Sequence, residues 1–504
     1  MENKNKEFKV LFVYPNQQNV GIVPSNIAVL SACLKREGFQ TKLFDTSVYK
    51  MKEETQDDIR AKLKHVLTSD VGEYIKYKYT NIHTDFVAYV EEYRPNLIAV
   101  SVVDSTLNFA ISLINEVKEK NIPTIFGGVG ATFLPEKILN KGIDWVCRGE
   151  GEEMLVEICT RMLNGEDVKN VRNLCFKDTN GTIIKNPLRP LVDINNLPMP
   201  DFSIYDSSRL YRPFHGRVLK MVQIDIDRGC PFTCTYCAAP SIRAMNTEEK
   251  TGCYYRVKST DKIIKEMKYL VKKHNLNFIW ISSETFLAGS IEELQRFARR
   301  YKEEINLPFW CQTRIDTFLK TKVDILYNMG CRAVSVGFEH GNERIRNDIL
   351  KKRITNQQIL DGIKEISRYD IFVTVNSMIG LPDETREEIF ETIEMNRKIK
   401  KILKKNQSLN VFIFAPFSGT PLRQKCIEKG YIMPDQEILF SFYEESILDM
   451  PSISKEEIKG LEKTIPFYIN FPESYYPQIK IAEKDNEEGK EMFNKLSELY
   501  DKMQ

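Results

Sequence analysis

Short apolar runs recur along this chain at intervals that leave room for one helix between successive members, a spacing that restricts the fold more than any single residue. Lys9-Val10-Leu11-Phe12-Val13-Tyr14-Pro15 reads as a buried parallel strand. A helix with apolar spacing at Ile27, Leu30, Ala32 and Leu34 follows, Gly38 ends it, and residues 41–45 make a second strand. A charged, helical insertion is expected over residues 52–93, after which the alternation resumes at 97–102, 123–128 and 144–147. Such alternation specifies an α/β fold, here a doubly wound parallel sheet. Residues 173–176 and 182–184, joined through Asn180-Gly181, form a hairpin, because Asn-Gly favours a type I′ turn.

In a doubly wound sheet, ligands sit outside the carboxyl ends of the strands. The loops falling there are residues 16–24 ending at Pro24, Ser101 with Asp104-Ser105-Thr106, Gly127-Gly128-Val129-Gly130, and Gly149-Glu150-Gly151. Glycine lets backbone approach a bulky ligand, and helix-start amides bind polar groups, although ordinary turns use the same residues. Asn196-Leu197-Pro198-Met199-Pro200-Asp201-Phe202 breaks both periodicities and marks a domain boundary. The expected domains are 1–195, a linker over 196–215, 216–425, and a largely helical 426–504.

The middle domain opens with a strand over 221–226 and continues with strands at 277–281, 308–314, 333–338, 372–378 and 409–414. With helices between them, they specify a partial (β/α)6 barrel that carries its functional groups at the strand carboxyl ends. Glu284, Gln312, Arg314, Glu339 and Asn376 occupy those ends. In the last domain, Ile465 to Pro472 and Tyr475-Tyr476-Pro477 are expected to interrupt the helices and either pack internally or cover the barrel.

Asp227-Arg228-Gly229-Cys230-Pro231-Phe232-Thr233-Cys234-Thr235-Tyr236-Cys237 carries three cysteines spaced C-x3-C-x2-C. Thiolates at this spacing hold three irons of a [4Fe–4S] cluster and leave the fourth open. A Cys3His zinc site is the alternative. It has only His215 and His274 nearby, and there is no second C-x2-C. The remaining cysteines form no disulfide framework and fit a reducing compartment. A net charge of +2 gives no reason to expect a nucleic acid partner. The polar start, the brevity of the run at residues 10–13 and the lack of any long apolar stretch predict a soluble, cytoplasmic protein without a transmembrane segment.

The cysteine loop resembles the cluster-binding loop of the radical SAM superfamily, and the amino-terminal loops, with Gly127-Gly128 and Arg148-Gly149-Glu150-Gly151-Glu152 matching its pattern, resemble the cobalamin-binding domain that precedes it in one subfamily. Ser283-Glu284-Thr285-Phe286, Thr313-Arg314-Ile315-Asp316, Gly337-Phe338-Glu339-His340-Gly341, Gly380-Leu381-Pro382-Asp383-Glu384-Thr385 and Phe414-Ala415-Pro416 follow in family order. The resemblance implies a [4Fe–4S] cluster on Cys230, Cys234 and Cys237, with S-adenosylmethionine (SAM) chelating its open iron. Tyr236 is then near the adenine, Glu284 pairs with the SAM ammonium, Arg314 pairs with its carboxylate or with Glu339, Gln312 and Glu339 complete the site, and Asn376 bonds the ribose. Cobalamin is expected on Pro24, Ser101, Asp104, Ser105, Thr106, Gly127, Gly128, Gly149, Glu150 and Gly151. The D-x-H-x-x-G motif that supplies a histidine to cobalt elsewhere is missing, so no histidine from it coordinates a bound cobalamin, whose lower face is expected toward the Asp104-Ser105-Thr106 loop, with or without water.

The resemblance implies a radical C-methyltransferase that abstracts hydrogen with a 5′-deoxyadenosyl radical and takes methyl from methylcobalamin. Its substrate is expected to be a small molecule, lipid or natural product, and its reductant a flavodoxin or ferredoxin. A cyclase or rearrangement enzyme with the same cofactors, and a sensor without turnover, are the alternatives. A methylthiotransferase fits less well, because Cys33, Cys147 and Cys159 form no second cluster motif.

Overall fold

The computed structural model describes residues 7–17, 23–51, 56–64, 73–214, 217–441, 443 and 445–503. The chain divides into two compact units, Met1–Thr55 with Asp70–Cys230 and Ala238–Asn277, and Gln56–Ser69 with Pro231–Cys237 and Phe278–Gln504.

The first unit is built on β1 (Lys9–Tyr14), β2 (Gln40–Asp45), β3 (Leu97–Ser101), β4 (Thr124–Gly127), β5 (Trp145–Cys147), β6 (Leu174–Lys177) and β7 (Ile183–Lys185). They lie in the order β2-β1-β3-β4-β5-β6-β7, parallel through β5 and antiparallel beyond it. Val10, Leu11, Phe12 and Val13 are all buried, which is why β1 reads as a continuous apolar run: both of its faces are covered. Strand order reverses between β1 and β3, so the crevice for a ligand opens at their carboxyl ends. The expected hairpin is β6–β7, with Gly181 at φ +81°, and it extends the main sheet. Of the expected insertion, Gln56–Lys62 and Ile82–Tyr93 are helical. Residues 52–55 and 65–72 lie outside the described residues.

Three smaller pieces follow in the first unit. A hairpin of β8 (Tyr211–Phe214) and β9 (Arg217–Lys220) was not anticipated, since residues 196–215 read as linker. The expected strand over 221–226 is shorter, as β10 (Gln223–Asp225). A two-residue ribbon then pairs β11 (Asp227–Arg228) with β12 (Arg256–Val257).

The second unit carries β13 (Ile279–Ser282), β14 (Phe309–Arg314), β15 (Cys331–Glu339), β16 (Phe372–Ile379) and β17 (Gln407–Ile413), parallel and adjacent in chain order. Helices Ile291–Glu304, Lys320–Met329, Asn356–Ile366 and Arg386–Leu403 make the crossovers. Capping boxes at Ser290/Glu293, Thr355/Gln358 and Thr385/Glu388 fix three of their starts. On β16, Val373, Val375, Ser377 and Ile379 are buried, while Thr374, Asn376 and Met378 are half-buried. One face of the sheet is therefore filled, and the other keeps its polar groups accessible.

The carboxyl-terminal helices are Lys455–Asn470, Tyr476–Ala482 and Glu487–Met503. The interruption expected at Ile465 does not occur: Pro466 lies inside the first of these helices. A proline there costs about 3 kcal/mol. Burial of Ile465, Phe467, Tyr468 and Ile469, each contributing roughly 1.5–3 kcal/mol, offsets it. Phe467 meets Phe471 and Phe493 at ring separations of 5.7 and 5.1 Å, so these aromatic residues pack on one another. Among the described residues, no helix is long and apolar enough to cross a membrane.

Candidate active site

The cysteine loop leaves β11 through Gly229, at φ +89°, where a Cβ would come within 2.8 Å of the Tyr254 carbonyl oxygen. Cys230, Cys234 and Cys237 are half-buried, whereas Cys33, Cys147, Cys159, Cys175, Cys311, Cys331 and Cys426 are buried. Burial pushes the thiols of Cys33, Cys147 and Cys426 up to about 12 and that of Cys175 up to about 11. Only a thiolate ligates metal, which disfavours the buried thiols; Cys253 is exposed but lies outside the C-x3-C-x2-C spacing, so the loop cysteines are the ones suited to a cluster. Among the described residues, no three His, Cys, Asp or Glu side chains converge on a single-ion site, whereas a cluster takes each thiolate on a separate iron.

Within the second unit the loop is pinned by backbone. Thr235 N–H donates to the Leu350 carbonyl at 3.1 Å, and Leu422 N–H donates to the Thr235 carbonyl at 3.0 Å. Arg314, at the end of β14, stacks its guanidinium 3.9 Å from the Phe232 ring centroid and brings Nη1 to 4.0 Å from Cys234 Sγ. The acid that pairs with it is Asp316, through two bonds of 3.0 Å, and not Glu339. The two residues stand two apart at a strand end, which puts both side chains on one side. Arg314 also donates to the Lys352 carbonyl at 2.8 Å, so its charge is held against the loop.

Glu339 closes β15 at φ +70°, a left-handed conformation uncommon outside glycine, asparagine and aspartate. Its carboxylate folds back over Gly337, where a Cβ would overlap Glu339 Oε1. Lys352 Nζ donates to Glu339 Oε1 at 2.7 Å and lies 3.4 Å from the Tyr236 hydroxyl. Strain of this kind persists only where surrounding structure over-determines it, and it concentrates at functional sites. Burial, with the charge of Glu339 next, pushes the Tyr236 hydroxyl well above its usual range. Lys352 escaped the sequence reading because nothing local marks it: a π-helical turn, Ile345–Ile349, brings it back from beyond the strand.

Glu284 is exposed after β13, and Gln312 is half-buried on β14. Asn376 donates to Ser335 Oγ at 3.0 Å and accepts from Asn410 Nδ2 at 3.1 Å, which leaves one amide hydrogen for a ligand. On the same accessible face, Trp280 and Trp310 are register partners stacked at 4.7 Å.

In the first unit, the edge expected to hold cobalamin is lined by close backbone. A Cβ at Gly128, φ +104°, would lie 2.5 Å from the Val102 carbonyl oxygen, and one at Gly130 2.8 Å from the Val103 carbonyl carbon. The loops after β3 and β4 thereby meet, leaving Val103 and Val129 exposed at 45% and 41%, apolar surface suited to a flat macrocycle. Several expected contacts are engaged internally. Thr106 is buried and accepts from Val103 N–H at 3.1 Å, Ser101 accepts from Asn26 at 2.9 Å, and Gly149 N–H donates to Thr132 at 3.1 Å. The Glu150 carboxylate is turned to Arg228 and Arg256. Pro24, Asp104, Ser105, Gly127 and Gly151 remain half-buried, and residues 18–22 of the first loop lie outside the described residues.

Residues 224–395 match the model of the radical SAM superfamily, and residues 21–159 match that of the B12 binding domain. An uncharacterized methyltransferase of Pyrococcus horikoshii is 24% identical, over 80% of this chain and 83% of its own. The anaerobic magnesium-protoporphyrin IX monomethyl ester cyclase of Rubrivivax gelatinosus is 23% identical, over 77% of this chain and 65% of its own, so the chain spans about two thirds of that relative. The radical S-adenosylmethionine methyltransferase TsrM from Kitasatospora setae, solved with cobalamin and a [4Fe–4S] cluster bound, superposes with a TM-score of 0.66 at 17% identity. That match covers 98% of this chain and 99% of TsrM.

Proposed function

The chain belongs to the cobalamin-dependent radical SAM proteins, and from that premise we propose that it is a C-methyltransferase acting on an unactivated carbon of a small molecule. The observation that carries this reading is the pairing, in one chain, of a half-buried three-thiol loop backed by Arg314 with a glycine-lined, apolar strand edge. When bound, the cluster supplies one electron to the sulfonium of SAM, and cobalamin supplies a transferable methyl group.

The protein's own contribution is placement and exclusion of water. Cys230, Cys234 and Cys237 would hold the cluster. Arg314 directs a donor at Cys234 Sγ while Asp316 fixes its direction. Glu339, held by Lys352, would accept from the ammonium or ribose hydroxyls of SAM, with Glu284, Gln312, Asn376 and Tyr236 around it. Gly127, Gly128 and Gly151, with Pro24, Asp104 and Ser105, supply the corrin edge, while Ser101, Thr106 and Gly149 shape it from behind. We place the protein in the cytoplasm, reduced by a flavodoxin or ferredoxin.

The similarity to the cyclase favours a second reading with no net methyl transfer. Anaerobic, cofactor-loaded protein incubated with methyl-labelled SAM and a small-molecule cell extract separates the two. A labelled product heavier by one CH2 supports methylation, whereas sustained 5′-deoxyadenosine formation with no labelled product supports the cyclase reading.

A further inference from the structure

Arg228 and Arg256 are register partners across the ribbon of β11 and β12. Two guanidiniums directly opposite on antiparallel strands repel, so this ribbon needs an anion between them. Glu150 supplies it. Its Oε1 accepts from Arg228 Nη1 at 2.8 Å and from Arg256 Nη2, and its Oε2 accepts from Val192 N–H at 3.0 Å. Glu152 takes the other arm of Arg228 at 2.6 Å, and Arg256 Nη1 also donates to the Val192 carbonyl at 2.6 Å. The Glu150 and Arg228 side chains are only 13% and 28% exposed, where charge-assisted bonds are strong. Burial pushes the Glu150 carboxyl up, but the charges of Arg228 and Arg256 outweigh it and hold the group below its usual range.

The ribbon runs straight into Gly229 and Cys230, with Gly229 packed on Tyr254 and the Cys230 carbonyl accepting from Arg243 Nη1 at 3.3 Å. An acid placed among the corrin contacts by its glycine-flanked loop thus spends its carboxylate on the stem of the cysteine loop. We propose that Glu150 is a positioning residue for Cys230, acting through Arg228 and Arg256, and not a side-chain contact of cobalamin. The proposal holds whatever group the thiols bind.

The test is alkylation of the full-length, cluster-free chain under anaerobic conditions, with iodoacetamide pulses and peptide mass spectrometry. Glu150→Gln is expected to speed Cys230 alkylation roughly tenfold, equivalent to ~1.4 kcal/mol of lost stem stability. Cys159 and Cys175, buried in the same unit, should keep their rates. Arg228→Met should act in the same direction, and the double variant should add little to it. Hydroxocobalamin binding to Glu150→Gln should stay within about twofold of wild type. Acceleration of all three cysteines together means general loosening and overturns the proposal. An unchanged Cys230 rate, with or without loss of hydroxocobalamin binding, overturns it too. If Glu150→Gln does not fold, Arg228→Lys gives the same readout, since lysine keeps the charge but cannot bridge both acids.

Discussion

His340 Nε2 lies 2.5 Å from Glu384 Oε1, and both side chains are fully buried. Asn342 N–H donates to His340 Nδ1 at 3.0 Å, so the ring proton sits on Nε2 and is directed at Glu384. The second Glu384 oxygen accepts from Leu381 N–H at 2.8 Å. Two motifs separated in the chain, Gly337-Phe338-Glu339-His340-Gly341 and Gly380-Leu381-Pro382-Asp383-Glu384-Thr385, are thus locked together beside the strained Glu339.

Removing one member leaves the other buried without its partner. Glu384→Ala is expected to destabilise the protein by ~3–5 kcal/mol, and Glu384→Gln, which retains an acceptor, by less. Denaturant midpoints of the two variants measure this, and equal losses would show that packing rather than the hydrogen bond is what matters.

Lys352→Met leaves the half-buried Glu339 without this cationic partner. SAM affinity of the anaerobic, cluster-loaded protein should fall about tenfold or more, with Lys352→Arg retaining part of it. Equilibrium dialysis reads the constant. Wild-type affinity in Lys352→Met would remove Lys352 from the site.

Replacing Cys230, Cys234 and Cys237 together with Ala should abolish iron loading and 5′-deoxyadenosine formation while leaving cobalamin bound. Iron analysis, corrin absorbance and product chromatography check the three parts separately. Retained deoxyadenosine formation in the triple variant would falsify the cluster assignment.

Gly128→Ala meets both a positive φ and the Val102 carbonyl. It should cost at least ~1–2 kcal/mol locally and displace the loop after β4, lowering cobalamin retention with iron content unchanged. Equal cobalamin retention in variant and wild type would place the corrin elsewhere.

Acid should weaken the tie between Asp201 and the helix Ser25–Arg36. Burial pushes the Asp201 carboxyl up, but the bonds from Lys35 at 2.7 Å, from Ser203, and from Ser31 at 2.8 Å outweigh it and hold the group below its usual range. With a folded value below the unfolded ~3.9, the contribution is complete above that pH and lost as pH falls through the folded value. The stability gap between wild type and Asp201→Asn should therefore be constant at neutral pH and shrink below about pH 4. Thermal melts across pH 2.5–7 test it, and a gap that widens in acid would reverse the sign.

Periodicity and spacing determined a great deal by themselves. The buried strands at Lys9–Tyr14 and Leu97–Ser101, the Asn-Gly hairpin and the succession of β13 to β17 were all legible, because each is written locally as a period of apolar residues or a turn that only certain residues make. The three cysteines were legible for the same reason: cluster ligands on one short loop must be close in sequence. What tertiary structure alone decided was the partner of each charge. Glu339 turned to Lys352, and Glu150 to the two arginines of the β11–β12 ribbon. Pro466 likewise sits within a helix that its local sequence argues against, since burial of its neighbours outweighs the lost hydrogen bond. An ion pair depends on distances between segments far apart in the chain, and no local pattern of residues records them.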